Sequence, residues 1–246
     1  MNRALTFSKR NRKEILRDYL SLIFLFAFPI LMLVLFYLIF HSRASQFERQ
    51  YLAPSRIGFS HAFLSLFLAR LVSSDRDTVF INRLYTTPLK PAEFILGYAL
   101  SVLPLGFVQS LSVSLIGGCF QASLFSVNRI FLLLSSVLSE VLFIGLGILF
   151  CSLFPPKAVG GVCSVLIAGQ SILSGRWLPQ EGLSKSFVLF RKCLPFKNIA
   201  DWLRNIARGC SDLWQGIFLP RLILFAYRVL SFVFGIFTFR LQTKEK

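Results

Sequence analysis

Tyr19 to Phe40 is a run of 22 residues without a charge, YLSLIFLFAFPILMLVLFYLIF. At about 1.5 Å per residue a helix of that length reaches roughly 33 Å, enough to cross a hydrocarbon core of about 30 Å. Further apolar runs follow at about 53–72, 94–120, 130–154, 158–173 and 217–239. The second is the least regular, with Arg56, His61 and Arg70 within or beside it; Arg70 is placed near a membrane face, its stem along lipid and its head at the interface. Mean hydropathy is +0.67, 55% of residues are hydrophobic and 15% are charged, so most of the chain has lipid as its solvent. The fold class predicted is an all-α membrane protein of six transmembrane helices. A single membrane domain over 1–246 is expected, with no room for a soluble catalytic unit.

Basic residues near the span ends set the expected orientation. Arg3, Lys9, Arg10, Arg12, Lys13 and Arg17 precede the first span, against Arg43, Arg49 and Arg56 in the next loop. The N-terminus is therefore expected in the cytoplasm, and six spans return Arg240, Lys244 and Lys246 to the same side. The first apolar run is too long for a cleavable signal and lacks a small-residue cleavage site after it. The net charge of +16 is scattered over loop ends, which points to anionic lipid headgroups and away from nucleic acid. Cys119, Cys151, Cys163, Cys193 and Cys210 show no metal-ligand spacing and read as small apolar filler, Cys193 and Cys210 having the alternative of pairing in the external region.

Between the spans, three segments carry helix signals. Phe7–Asp18 reads as a basic surface helix or elbow, with Arg12, Lys13 and Arg17 on its polar side, Phe7, Ile15 and Leu16 toward lipid, and Glu14 placed to pair with Arg17 or with the neighbours of Asp18. Ser73–Phe94, SSDRDTVFINRLYTTPLKPAEF, is a charged island between two apolar runs. Ser73 or Ser74 as cap, Asp75 and Asp77 in a first turn, and Pro88 and Pro91 as terminators predict a short separate helix lying across the bundle end. Its polar contacts would come from Arg76, Asn82 and Arg83, and a plain connecting loop is the alternative. In 174–216, Leu183, Phe187, Phe190 and Leu194 share a face opposite Lys185, Arg191 and Lys192. After Pro195, Ile199, Trp202, Leu203 and Ile206 repeat that pattern. Two short external amphipathic helices hinged at Pro195 are expected, capping a pathway or lying on lipid.

Within the spans, Glu140, Arg221 and Arg228 stand in apolar surroundings, where an unpaired charge costs at least about 2.5 kcal/mol near a helix centre. Glu140 and Arg228 each lie roughly 15 to 17 Å from the expected outer ends of their spans. A Glu140–Arg228 pair is expected, either locking the bundle or bordering a substrate route. Gln109 is a smaller polar candidate for an interhelical hydrogen bond. No GxxxxGK[ST] loop, HExxH or GxSxG occurs, so nucleotide binding in the usual cradle is not expected and the pattern argues against an intramembrane hydrolase.

The segment Asp75–Leu100, DRDTVFINRLYTTPLKPAEFILGYAL, resembles the stretch joining spans two and three in permease subunits of type-2 ABC exporters. The matching pieces are Asp75-Arg76-Asp77, Arg83-Leu84, Thr87-Pro88 and Phe94-Ile95-Leu96-Gly97-Tyr98. Arg12–Asp18, Ser152–Gly161, Ser174–Glu181 and Leu194–Gly209 follow the family order, so the likeness covers nearly the whole chain. Where many relatives carry Gly-Thr and then Glu, this chain has Val79, Phe80 and Asn82. The resemblance implies a non-catalytic permease in a bacterial plasma membrane with both termini cytoplasmic. It would be paired with a second permease copy or a sister permease and with separate ABC ATPase subunits that bind ATP and Mg; the chain itself would hold no cofactor. It further implies export of a drug-like, peptide, lipid or glycan substrate. A coupling segment over 73–93 would dock the ATPase through Asp75, Arg76, Asp77, Phe80, Asn82, Arg83, Leu84, Thr87 and Pro88. A secondary carrier, or a non-transporting immunity or scaffold subunit, is the alternative; the first would favour several midplane acids or internal repeats, which the chain lacks.

Overall fold

The computed structural model describes residues 2–40, 49–77, 91–121, 127–174, 184–208 and 219–244. Among these the chain is helical without strands, in the order α1 (Asn2–Ile15), α2 (Tyr19–Phe40), α3 (Arg49–Asp77), α4 (Pro91–Gln121), α5 (Val127–Leu153), α6 (Pro156–Leu173), α7 (Lys185–Cys193), α8 (Pro195–Arg208) and α9 (Leu219–Lys244). Six of them, α2 to α6 and α9, are long and apolar enough to cross a membrane. Pro155 and Pro156 separate α5 from α6: Pro155 is extended and Pro156 opens the new helix, where its missing N–H costs nothing.

The helix α3 is the axis of the bundle, packing against α2, α4, α5, α6 and α8. Two thirds of its spanning window is buried (67%), against 18% for α2, so α3 is read by protein on nearly all sides while α2 keeps most of its surface for lipid. Small residues set the closest approach. A Cβ on Gly147 of α5 would stand 2.7 Å from the backbone oxygen of Ser65 in α3, so these helices meet where only glycine fits. Two apolar clusters fill the interior. One joins Phe7 and Ile15 of α1 to Leu68, Val72, Phe94, Tyr98, Ile148 and Val159. The other joins Ile57, Leu142, Phe143 and Leu224 to Ile199, Trp202 and Leu203 of α8.

That second cluster settles the placement of α8. Its apolar stripe is the one expected from periodicity, but it is buried against α3, α5 and α9 and does not face lipid. The preceding helix α7 departs from expectation. Phe190 is exposed whereas Arg191, assigned to the polar face, is buried and donates from Nε to Leu173 O at 3.0 Å. Leu173 is the last residue of α6, and a terminal carbonyl has no intrahelical donor, so the guanidinium supplies one. The α1 face is likewise reassigned: Phe7 and Ile15 are buried, Phe7 stacking edge-on against Phe94 and Tyr98, and Leu16 alone of the three stays exposed. A Cβ on Gly97 would stand 2.5 Å from the Phe7 ring, so glycine there lets α1 lie directly on α4. Cys193 is a free thiol, and Cys210 lies outside the described residues.

Candidate functional site: the joint flanking residues 78–90

The helix α3 does not stop at Ser73. It runs on to Asp77, so Asp75-Arg76-Asp77 forms the last turn of the second span and not the first turn of a separate helix. Ser73 is buried inside the helix, near its C-terminal end, and its hydroxyl has no hydrogen-bond partner among the described residues, so it does not cap a helix start. Tertiary contacts carry the helix past the serines. Asp75 is buried and accepts a hydrogen bond from Tyr98 Oη at 2.5 Å. Tyr98 lies in the second turn of α4, beyond the 78–90 stretch, so this bond ties together the two helices that flank it. Arg10 Nη1 approaches the same carboxylate at 3.9 Å and adds α1 to the joint. Glu14 pairs with Arg10 at 3.0 Å, not with Arg17.

Arg76 brings in a fourth helix by donating from Nη1 to Cys151 O of α5. That carbonyl is an orphan on two counts: it lies in the last turn of α5, and the residue four positions on is Pro155, which has no N–H to give. Close by, Ser152 of α5 bonds Thr238 of α9 at 2.8 Å. The ends of α3, α5 and α9 and the starts of α2 and α4 are thereby gathered at one face of the bundle with α1. Asp75 is therefore buried within the molecule, and the half-buried Arg76 reaches across to α5. Of the other residues assigned to docking, the side chain of Asp77 and all of Phe80, Asn82, Arg83, Leu84, Thr87 and Pro88 lie outside the described residues. Arg12 is half-buried on α1, while Lys13 and Arg17 are exposed.

The intramembrane residues are arranged differently from expectation. Glu140 and Arg228 are both buried, but no ion pair joins them among the described residues, and both Glu140 oxygens lack a hydrogen-bond partner. The carboxyl of Glu140 turns toward α4, where a Cβ on Gly106 would collide with it, so glycine provides its space. Matching depth along two spans pointed to Arg228 but did not fix the rotation of α5. His61, which no sequence motif singled out, is a buried polar link between three helices: its Nδ1 bonds Ser139 and its Nε2 bonds Ser110, each at 2.8 Å, joining α3 to α5 and α4. Gln109 Nε2 donates to Leu25 O of α2 at 2.7 Å. Leu25 O faces the same deficit as Cys151 O, because the residue four ahead is Pro29.

These features define a multi-pass helical membrane protein whose second and third spans are clamped together on either side of a charged connection. A family model described as ABC-2 type transporter matches residues 3–207, and the chain belongs to that family. It is thus a membrane permease subunit of an ABC transporter. No curated protein matched the chain.

Proposed function

We propose that the chain is the export permease of an ATP-driven complex and receives the ATPase stroke through residues 78–90. Membership of the ABC-2 family supports the class of partner. The observation that carries the route is the Asp75–Tyr98 bond with its Arg10 and Arg76 extensions. A connecting segment moves the spans only if both its ends are rigidly attached, and here both attachments meet at the buried Asp75–Tyr98 pair. A push on 78–90 reaches α3 and α4 at once and passes to α1 and α5 through the two arginines. On this reading Phe80, Asn82, Arg83, Leu84, Thr87 and Pro88 are the docking residues, and Asp75 and Arg76 anchor the segment behind them. ATP and Mg are held by the partner ATPase, the spans work beside a second permease copy or a sister permease, and both termini are cytoplasmic. The cargo is of drug-like, peptide, lipid or glycan class.

The test is purification of the tagged full-length chain in mild detergent, with Arg83→Glu alongside. An ABC ATPase is expected with the wild type and several-fold less of it with Arg83→Glu, at equal permease yield. A folded wild-type chain that brings no nucleotide-binding subunit, across mild conditions, overturns the proposal.

A further inference from the structure

One face of α1 is used by the fold, and a different one is left over. Ala4, Phe7, Asn11 and Ile15 are buried at the contact with α4. Thr6, Lys9, Arg10, Lys13, Glu14 and Arg17 line a groove of about 600 Å³. Arg10 is engaged by Glu14 and Asp75. Lys9, Lys13 and Arg17 are exposed, and none forms an ion pair with another described residue. The groove therefore holds three cations that no described residue neutralises.

Its position fixes what neutralises them. The first span begins at Tyr19, two residues past Arg17, and Leu16, Tyr19, Leu20, Ile23 and Phe24 are all more than half exposed. Cations stand immediately beside an uncovered apolar surface, which is the order of groups along a phospholipid: an anionic phosphate, then acyl chains. The surface of α2 already faces lipid, so the headgroups of that lipid lie beside the groove, where a soluble acidic partner would have to displace them. We propose that the α1 groove is a binding site for the phosphate headgroup of an anionic phospholipid, with Lys9, Lys13 and Arg17 as its ligands. The site adjoins Arg10, so its occupant lies one side chain away from the Asp75–Tyr98 joint.

Native mass spectrometry of the full-length chain, titrated with phosphatidylglycerol or phosphatidylcholine of identical acyl chains, tests this. Phosphatidylglycerol is expected to bind about tenfold or more tightly than phosphatidylcholine. Combined Lys9→Gln, Lys13→Gln and Arg17→Gln should bring it down to the phosphatidylcholine level, while Lys185→Gln with Lys192→Gln on α7 leaves the preference intact. Should the triple variant fail to fold, Lys13→Gln alone is expected to lose about fivefold. Equal binding of the two lipids, or a preference untouched by the triple variant or by Lys13→Gln, refutes the site. So does displacement of the lipid by equimolar inorganic phosphate, which would mark a soluble anion site. An unchanged lipid preference with loss of the ATPase in the triple variant would assign the face to a protein partner instead.

Discussion

Gln109, Arg76 and Arg191 do the same job. Each donates to a helix carbonyl that its own helix leaves unmatched: Leu25 O because of Pro29, Cys151 O because of Pro155, and Leu173 O because α6 ends there. In a bilayer no water is at hand for such an oxygen, so a polar side chain from a neighbouring helix is the remedy. The prolines were legible in the sequence and each names its orphan by counting back four. Which side chain answers was not legible, because the partners lie 84, 75 and 18 residues away. The expected Glu140–Arg228 pair failed for a related reason: depth along two spans can be counted, but the rotation that turns Glu140 toward Gly106 depends on packing of α5 against α3 and α4. A double-mutant cycle tests the orphan account. Gln109→Leu should destabilise the folded chain by about 1–2 kcal/mol, read by thermal unfolding in detergent. In a Pro29→Ala background, where the backbone N–H of residue 29 can reach Leu25 O, the same substitution should cost clearly less. Equal cost in both backgrounds would show that Gln109 acts by packing alone.

At the level of elements, apolar length and periodicity located the helices of the described residues but misjudged what the faces of α1, α7 and α8 touch. The stripe of α8 was visible in Ile199, Trp202, Leu203 and Ile206, yet an amphipathic stripe fits lipid and protein equally, and here it fills the cluster with Phe143 and Leu224. For α1, the apolar residues face α4 because Gly97 removes the side chain that would hold the two helices apart. The continuation of α3 through Ser73–Asp77 was hidden by the charges, since a polar last turn and a polar separate helix read alike until Tyr98 is brought to Asp75. Two element-scale outcomes follow from the glycines. Gly147→Leu should push α5 off Ser65 and lower the unfolding temperature strongly, as overpacking at a backbone contact costs about 1–3 kcal/mol or more. Gly97→Val should instead release α1 with the spans still folded. This would appear as new protease cleavage within residues 2–15 without loss of the membrane-embedded core, and protection equal to wild type would contradict the α1–α4 contact.

The molecule as a whole is a bundle built on α3, well buried at its centre and sparsely buried at α2, α6 and α9, whose outer faces remain for lipid or a second permease. The six-span plan and the family were legible because apolar length and the order of loose motifs survive without tertiary detail. The joint was not, because it is made from contacts between residues that sequence treats as one continuous polar island. Tyr98→Phe should loosen that joint, lowering ATP hydrolysis stimulated by the permease while leaving assembly with the ATPase intact. Asp75→Asn, which keeps an acceptor for Tyr98, should do so less. Most direct for the central claim is a photo-crosslinking amino acid placed at Leu84 in the full-length chain in its native membrane, with one at Leu189 of α7 as the control at the opposite end. The account predicts a crosslink from position 84 to an ATP-binding subunit and none from position 189. A crosslink to that subunit from position 189 alone, or none from position 84 in a chain shown to carry the ATPase, would contradict it.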